Sequence, residues 1–400
     1  QVTRDGPVRM ADILDGVTYD ATREQPRDWV QAGPRPAPSG RLVAQPNEPI
    51  RAIARLQPTA LTQPARGVWV YDLGQNMVGT VRLRLKAPRG TQVRLRFAEM
   101  LNEDGTVYVT NLRSAKQTAL YTARGGARET FEPNFTYFGF RYVEVTGEIA
   151  QPGKADLEGV VFNSASPEVS TFACDEPMLN RLWSAILWTQ RANLMSTPTD
   201  CPQRDERLGW MGDIQAFGQT AIFHMDLAAF FTKWLRDVRD DQARDGRFPD
   251  FAPQPFGPDG TFSGAPAWGD AGVLVPWDVW VNYGDRRLVE EHLPAARRWV
   301  DFVARHNPDG LWRTRRGADY NDWLNGDTLI QEGWPRTGGA VPPEVLATAF
   351  HARSAASLAR LCAAVGWRTE AARYEAWARQ VRDAFVRAYV DAEGRILGDT

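Results

Sequence analysis

The stretch Asp175-Glu176-Pro177-Met178-Leu179-Asn180-Arg181-Leu182-Trp183-Ser184-Ala185-Ile186 marks a change in how apolar residues are spaced along the chain. From Leu179 onward they recur every three to four residues, which places them on one face of a helix. Asp175 stands where a residue caps a helix, and Pro177 suits the first turn. Before this stretch, apolar residues recur at every second position. The sequence therefore predicts a β region followed by a helical region.

Alternation between apolar and polar residues runs from about residue 68 to 161. It is clearest at 81–86 and 93–98, where Val, Leu and Phe alternate mainly with Arg. This pattern is typical of strands with one wet face. We predict an antiparallel β-sandwich over residues 61–165. The proline-rich residues 1–60 we interpret as the tail of an upstream β domain and a linker.

Helical periodicity continues through the rest of the chain, which we assign to a third domain, residues 166–400. Two long connections, 248–270 and 307–343, interrupt it, and connections of this size in a compact domain are usually functional. The helices are too few to close a ring of helix pairs, so we predict a partial ring. The predicted runs are 176–195, 210–224, 227–244, 271–283, 286–306, 343–365 and 368–389.

Composition excludes several classes of protein. The net charge is −2 and no basic run is interleaved with aromatics, which argues against a nucleic-acid partner. No apolar stretch is long enough to cross a bilayer, so we expect a soluble chain without a membrane partner. Three scattered cysteines predict buried thiols rather than a metal site. Four histidines show neither a zinc nor a Ser-His-Asp pattern.

The densest cluster of charge lies on a connection between two predicted helices, at residues 197–213. Within it Glu206 is flanked by arginines and by an apolar Leu-Gly-Trp, so burial and positive charge would compete to set its protonation. Asp205 we interpret as a helix cap. A glycosidase needs two carboxyls, one to protonate the leaving oxygen and one to activate water or attack. The segment offers the acid and leaves the base unidentified.

Tryptophans beside carboxylates also favour sugar recognition, because aromatic faces stack on apolar sugar faces while carboxylates bond hydroxyls. Those on connections, Trp210, Trp268 and Trp323, are the better candidates for a site. Those within amphipathic helix patterns we expect in the core. They are Trp183, Trp188, Trp234 and Trp299.

The run from Asp200 to Asp213, Asp-Cys-Pro-Gln-Arg-Asp-Glu-Arg-Leu-Gly-Trp-Met-Gly-Asp, resembles the signature of bacterial α-L-rhamnosidases of glycoside hydrolase family 78. The resemblance extends to residues 71–76, 111–116 and 135–142, which look like the family's β-sandwich, and downstream to 267–271 and 322–324. It implies an antiparallel β-sandwich followed by an incomplete (α/α)6 barrel. It also implies a rhamnose-containing glycoside or polysaccharide as the partner.

By this resemblance Glu206 is the general acid of an inverting mechanism that releases terminal rhamnose. No metal and no other cofactor is implied, and the oligomeric state and compartment stay open. The general base is expected beyond Thr400, so the chain looks like a piece of something longer and is expected to be inactive alone. Glu332 is a weaker candidate for the base. The residues expected to hold or line the sugar are Asp200, Arg204, Trp210, Asp213, Trp268, Asp270 and Trp323.

Two alternatives remain open. One is a different (α/α)6 carbohydrate enzyme, acting on another sugar or cleaving by elimination as a lyase, although an acid-rich pocket disfavours a uronate. The other is a non-catalytic carbohydrate-binding protein in which the β-sandwich binds and the helices serve as scaffold. Substitution of Glu206 separates binding alone from hydrolysis.

Overall fold

A computed structural model describes residues 6–24, 33–34, 36–37, 39–257, 260–324 and 341–397. The chain forms two compact units: residues 1–166 with 172–207, and residues 167–171 with 208–400. Within the described ranges, no helix has the length and apolar character needed to cross a bilayer.

The first unit is dominated by β strands. They are β1 (Val8–Asp12), β2 (Gly16–Asp20), β3 (Arg51–Leu56), β4 (Ala60–Ala65), β5 (Val68–Leu85), β6 (Gln92–Ala98), β7 (Met100–Leu101), β8 (Val107–Tyr108), β9 (Thr118–Thr122), β10 (Glu129–Phe131), β11 (Phe138–Thr146) and β12 (Leu157–Asn163). Ten of these form one sheet, whose main path runs β1-β2-β9-β6-β11-β5-β12-β3, while β7 and β8 pair separately. All described pairings are antiparallel except β2 with β9.

Strand β5 organises this sheet because its two halves have different neighbours. The first half pairs with β4 and β11, and the second half pairs with β12 and β10. Gly79 lies where the partners change, at φ 147°. A Cβ there would approach the carbonyl oxygen of Val160 to 2.0 Å, so the close crossing of β5 and β12 requires glycine.

Strands from the first sixty residues belong to this same sheet. β1 and β2 extend it beyond β9, and β3 forms its other end beside β12. The described part of residues 1–60 is therefore not the separate domain tail that we expected. Local spacing does not reveal the pairing of β2 with β9 or of β3 with β12, because these partners lie about a hundred residues away in the sequence.

The helical prediction is confirmed, and most boundaries agree to within two residues. The helices are α1 (Pro177–Asn193), α2 (Met211–His224), α3 (Ala228–Asp240), α4 (Ala271–Tyr283), α5 (Arg286–His306), α6 (Pro343–Ala364) and α7 (Arg368–Tyr389). Helix α3 ends four residues before its predicted end. There the side chain of Asp241 accepts a hydrogen bond from the amide of Gln254 at 2.7 Å, which ties the chain to the next connection.

Helix α1 belongs to the first unit, where it packs against β5 and β12. Glu176 caps it, accepting from the amide of Met178 at 2.9 Å, so the predicted cap at Asp175 was wrong by one residue. Pro177 suits the first position of the helix, since its missing N–H is not needed there. Leu179 and Leu182, which the periodicity placed on the apolar face, are exposed in this structure. Trp183 and Trp188, expected in the core, are only partly buried.

The second unit is built around aromatic side chains. Trp234, Trp299 and Trp312 are fully buried, and the first two confirm the core prediction. Helix α4 contacts α2, α3, α5 and α6, so it is central to the described packing. The expectation of buried thiols holds for Cys201 and Cys362 and is wrong for Cys174, which is exposed just before α1.

Candidate active site

The charged connection crosses the division between the two units. Asp200, Arg204 and Glu206 fold with the β sheet, whereas Trp210 and Asp213 belong to the helical unit.

In the first unit, Glu206 is a partly exposed carboxylate held by two guanidinium groups. Its Oε2 accepts from Nε of Arg204 at 3.1 Å and from Nη1 of Arg113 at 3.2 Å. Arg204 also donates to Oδ2 of Asp200 at 3.1 Å, so one guanidinium joins both predicted carboxylates. Burial lowers the pKa of Arg204, but Cys201, Glu206 and Asp200 together raise it above its usual value. Arg204 is therefore a permanent cation between them.

Arg207 fixes the turn that presents these groups, and sequence reasoning missed it. Its buried side chain donates at 2.7–3.1 Å to the carbonyls of Arg204 and Gln203 in the turn and to those of Ile13 and Tyr137. The last two belong to the strand-rich part of the first unit, up to residue 166, which we call the β domain. The backbone φ of Arg207, 60°, places it in the left-handed region. Burial lowers the pKa of this guanidinium. Four carbonyl bonds compensate for burying the charge, and the two to Ile13 and Tyr137 fasten the turn to the β domain.

We had expected Asp205 to cap a helix, and this prediction was wrong. Its Oδ2 accepts from the amide of Ser114 at 3.1 Å and from the hydroxyl at 2.5 Å. The hydroxyl bond, followed by the amide bond, lowers the pKa of Asp205. Asp205 therefore links this turn to the β domain.

Asp200, Cys201 and Glu206 approach closely enough to suggest a metal site, with potential ligand atoms within 4.8 Å of one another. The donor set does not fit a cation, however. Arg204 bonds both carboxylates. Burial, and then the charge of Asp200, raises the pKa of the Cys201 thiol to about 12, so a thiolate ligand is disfavoured.

Asp200 and Arg204 also line a cavity of about 370 Å³ within the first unit. Its polar wall centres on Glu99, which accepts from Asn76 Nδ2 at 2.8 Å and from Gln203 Nε2 at 3.0 Å. The side chain of Trp188 forms an apolar wall. The β domain thus contributes directly to the surroundings of two predicted sugar-holding residues.

In the second unit, Tyr320 brings the three candidate tryptophans together. Its ring centroid lies 5.5 Å from Trp210, 4.8 Å from Trp268 and 6.1 Å from Trp323. Its hydroxyl donates to Oδ2 of Asp250 at 2.9 Å. Neither Tyr320 nor Asp250 was singled out from the sequence, although both lie on the two long connections. Their position among the tryptophans is a contact between distant segments that local pattern does not reveal.

Asp250 is buried, and burial raises its pKa to about 7. The amide of Ala265 at 3.1 Å and the hydroxyl of Tyr320 both favour the charged form and oppose that rise. A carboxyl that titrates near neutrality beside an aromatic cluster is a candidate functional group.

Trp268 packs against the first turn of α2. A Cβ on Gly212 would lie 2.4 Å from Cε2 of Trp268, so only glycine admits the indole. Asp213, the next residue, is exposed in that first turn, where the helix dipole favours a carboxylate.

Asp270 is fully buried behind this region. Its Oδ1 accepts from Nε1 of Trp299 at 3.0 Å and from the hydroxyl of Ser354 at 2.6 Å, and its Oδ2 accepts from the amide of Ala267 at 2.9 Å. Burial raises its pKa. These bonds favour a role in holding the turn before Trp268. Glu332, the weaker candidate for the general base, lies outside the described residues.

The helical part matches a family described as the bacterial alpha-L-rhamnosidase 6 hairpin glycosidase domain, over residues 167–400. Residues 62–163 match the bacterial alpha-L-rhamnosidase concanavalin-like domain. The helical domain is thus of the six-hairpin glycosidase class. The chain belongs to the bacterial α-L-rhamnosidase family.

Individual relatives agree with this assignment. An alpha-L-rhamnosidase of Streptomyces avermitilis is 45% identical over 99% of this chain and 38% of its own length. The crystal structure of the S. avermitilis enzyme complexed with L-rhamnose has a TM-score of 0.89 at 43% identity, over 99% of this chain and 38% of that one. The Aspergillus terreus rhamnosidase structure has a TM-score of 0.90 at 34% identity, over 98% and 46%. The chain therefore spans less than half the length of these relatives.

Proposed function

We propose that the protein is a glycoside hydrolase that releases terminal α-L-rhamnose from a rhamnose-containing glycoside or polysaccharide, with inversion. The proposal rests mainly on the position of Glu206. Its partly exposed carboxyl is held by two guanidinium groups, and it lies in the segment that resembles the family signature, within the matched helical domain. The complex of the S. avermitilis relative with L-rhamnose supports the choice of sugar.

In this proposal Glu206 gives its proton to the glycosidic oxygen as the bond to the anomeric carbon breaks. Water attacks that carbon from the opposite face, and a second carboxylate takes the proton of the water. The scheme requires neither a metal nor an organic cofactor.

The remaining site residues divide by chemistry. Asp200, Arg204 and Asp213 would bond the hydroxyl groups of rhamnose. The faces of Trp210, Trp268 and Trp323 would cover the apolar side of the ring and its methyl group. Asp270, first considered as a further holder, would act from behind by fixing the turn that carries Trp268.

The test is Glu206→Gln in the natural full-length protein, with Glu103→Gln on an exposed turn as the control. Loss of the proton donor is expected to lower kcat about 10²- to 10⁴-fold on rhamnosides with poor leaving groups, and much less on those with activated ones. Glu103→Gln should behave as wild type. Proton NMR should show the inverted anomer first.

Unchanged turnover in Glu206→Gln would contradict the proposal. Sugar binding without turnover in both the wild type and the variant would indicate a carbohydrate-binding protein instead. Turnover that yields an unsaturated product or another sugar would indicate a different (α/α)6 enzyme.

A further inference from the structure

We propose that Arg113 of the β domain is a positioning residue for the carboxyl of Glu206, which makes this domain part of the catalytic apparatus. The inference rests on the proposed function. Arg113 and Ser114 meet Asp205 and Glu206 as two adjacent pairs. Nη1 of Arg113 donates to Glu206 at 3.2 Å and lies 3.6 Å from Oδ1 of Asp205, while Ser114 donates twice to Asp205.

The β domain presents this pair from a firmly anchored turn. A 3₁₀ turn, Thr110–Leu112, ends at Arg113, and Leu112 and Ala115 on either side are buried. The backbone of Arg113 has φ 58° and ψ −117°, a strained conformation for a residue with a side chain. Such a conformation persists only where the surrounding structure imposes it. The turn therefore points a fixed donor at the catalytic segment.

The two arginines on Glu206 have different attachments. Arg204 is two residues away in the same segment and is shared with Asp200. Arg113 comes from 93 residues earlier and is about half exposed. The bond from Arg113 therefore holds the carboxyl of Glu206 in position relative to the β domain. The bond from Arg204 holds it only relative to its own turn. A general acid must keep its proton in line with the leaving oxygen, and a small displacement of the acid lowers the rate strongly.

Arg113→Met in the full-length protein tests this role. We expect kcat to fall about ten- to a hundredfold on a rhamnoside with a poor leaving group and by clearly less on an activated one, with KM nearly unchanged. The control is Arg124→Met, another half-exposed arginine of the β domain, which pairs with Glu24 at 2.7 Å. Arg124→Met should show the wild-type ratio of the two rates.

The ratio of rates on two substrates does not depend on the fraction of enzyme that folds, so partial misfolding does not obscure the result. Arg113→Lys, which keeps the charge and loses the planar fork, should lie between wild type and Arg113→Met. In a Glu206→Gln background, Arg113→Met should lower kcat little further, because both changes impair the same proton transfer.

An unchanged rate ratio in Arg113→Met, or a full additional loss in the double variant, would overturn the inference while leaving Glu206 as the acid. Full activity of Glu206→Gln by itself would instead remove the proposed function. The two failures are therefore distinguishable.

Discussion

The hydroxyl of Tyr320 donates a 2.9 Å hydrogen bond to Asp250, and the same tyrosine ring contacts Trp210, Trp268 and Trp323. One side chain thus joins the buried carboxyl with the raised pKa to the aromatic cluster. This relationship makes the protonation of Asp250 sensitive to a single hydroxyl group.

Tyr320→Phe is expected to raise the pKa of Asp250 further above its present value of about 7. The hydroxyl stabilises the charged carboxylate, so removing it leaves burial less opposed. Carbon NMR titration of the aspartate carboxyls measures this directly. A lower pKa in the variant would contradict the stabilisation of the charged carboxylate by the hydroxyl of Tyr320.

The same carboxyl makes stability depend on pH. Its pKa is raised from 3.8 to about 7 on folding, so the folded state holds the proton more tightly. The stabilising contribution is complete below 3.8 and is lost as pH rises to about 7. In Asp250→Asn, the free energy of unfolding from urea titrations should fall less steeply across this window. An unchanged slope would show that Asp250 does not titrate there.

Gly212→Ala should displace Trp268, because the new Cβ would lie 2.4 Å from the indole. Overpacking of this kind costs about 1–3 kcal/mol. Gly218→Ala, in the same helix, is the matched control, since its Cβ meets nothing closer than Oδ2 of Asp278 at 3.7 Å. Thermal stability should fall, and the near-ultraviolet circular dichroism should change, for the first variant only, since alanine without a clash favours a helix interior. Equal effects would show that Trp268 yields easily.

Asp270→Ala should destabilise the helical unit, because it leaves buried donors on Trp299, Ser354 and Ala267 without an acceptor. Each unsatisfied group costs about 1–3 kcal/mol. Urea unfolding measures the loss. A raised KM for rhamnosides with unchanged stability would instead support direct contact between Asp270 and the sugar.

Sequence periodicity was sufficient for most helix boundaries, because the signals that set them are local. These signals are the spacing of apolar residues and capping residues such as Asp285, which accepts from the amide of Leu288 at the start of α5. The difference at Glu176 shows the limit of that reasoning. Two neighbouring carboxylates can both cap a helix, and the backbone geometry decides between them. The exposed face of α1 shows another limit, since periodicity identifies an apolar face and not its partner.

The candidate site was predictable residue by residue only where the signature is contiguous. Choosing tryptophans on connections selected three that meet at Tyr320, although their contact with a sugar stays a prediction. Arg113, Arg207 and Tyr320 act on distant segments. An arginine on a turn, such as Arg113, looks like any solvated charge until the fold brings a carboxylate to it.

The two family matches meet between residues 163 and 167, yet helix α1 and the segment to Arg207 form a compact unit with the β sheet. Recombination at the family boundary would separate the segment carrying Glu206 from the sheet against which it folds. A chimaera joining the helical domain of one relative to the β domain of another would therefore have to match at Arg113, Ser114 and Arg207. The two matched domains are therefore expected to be inherited together.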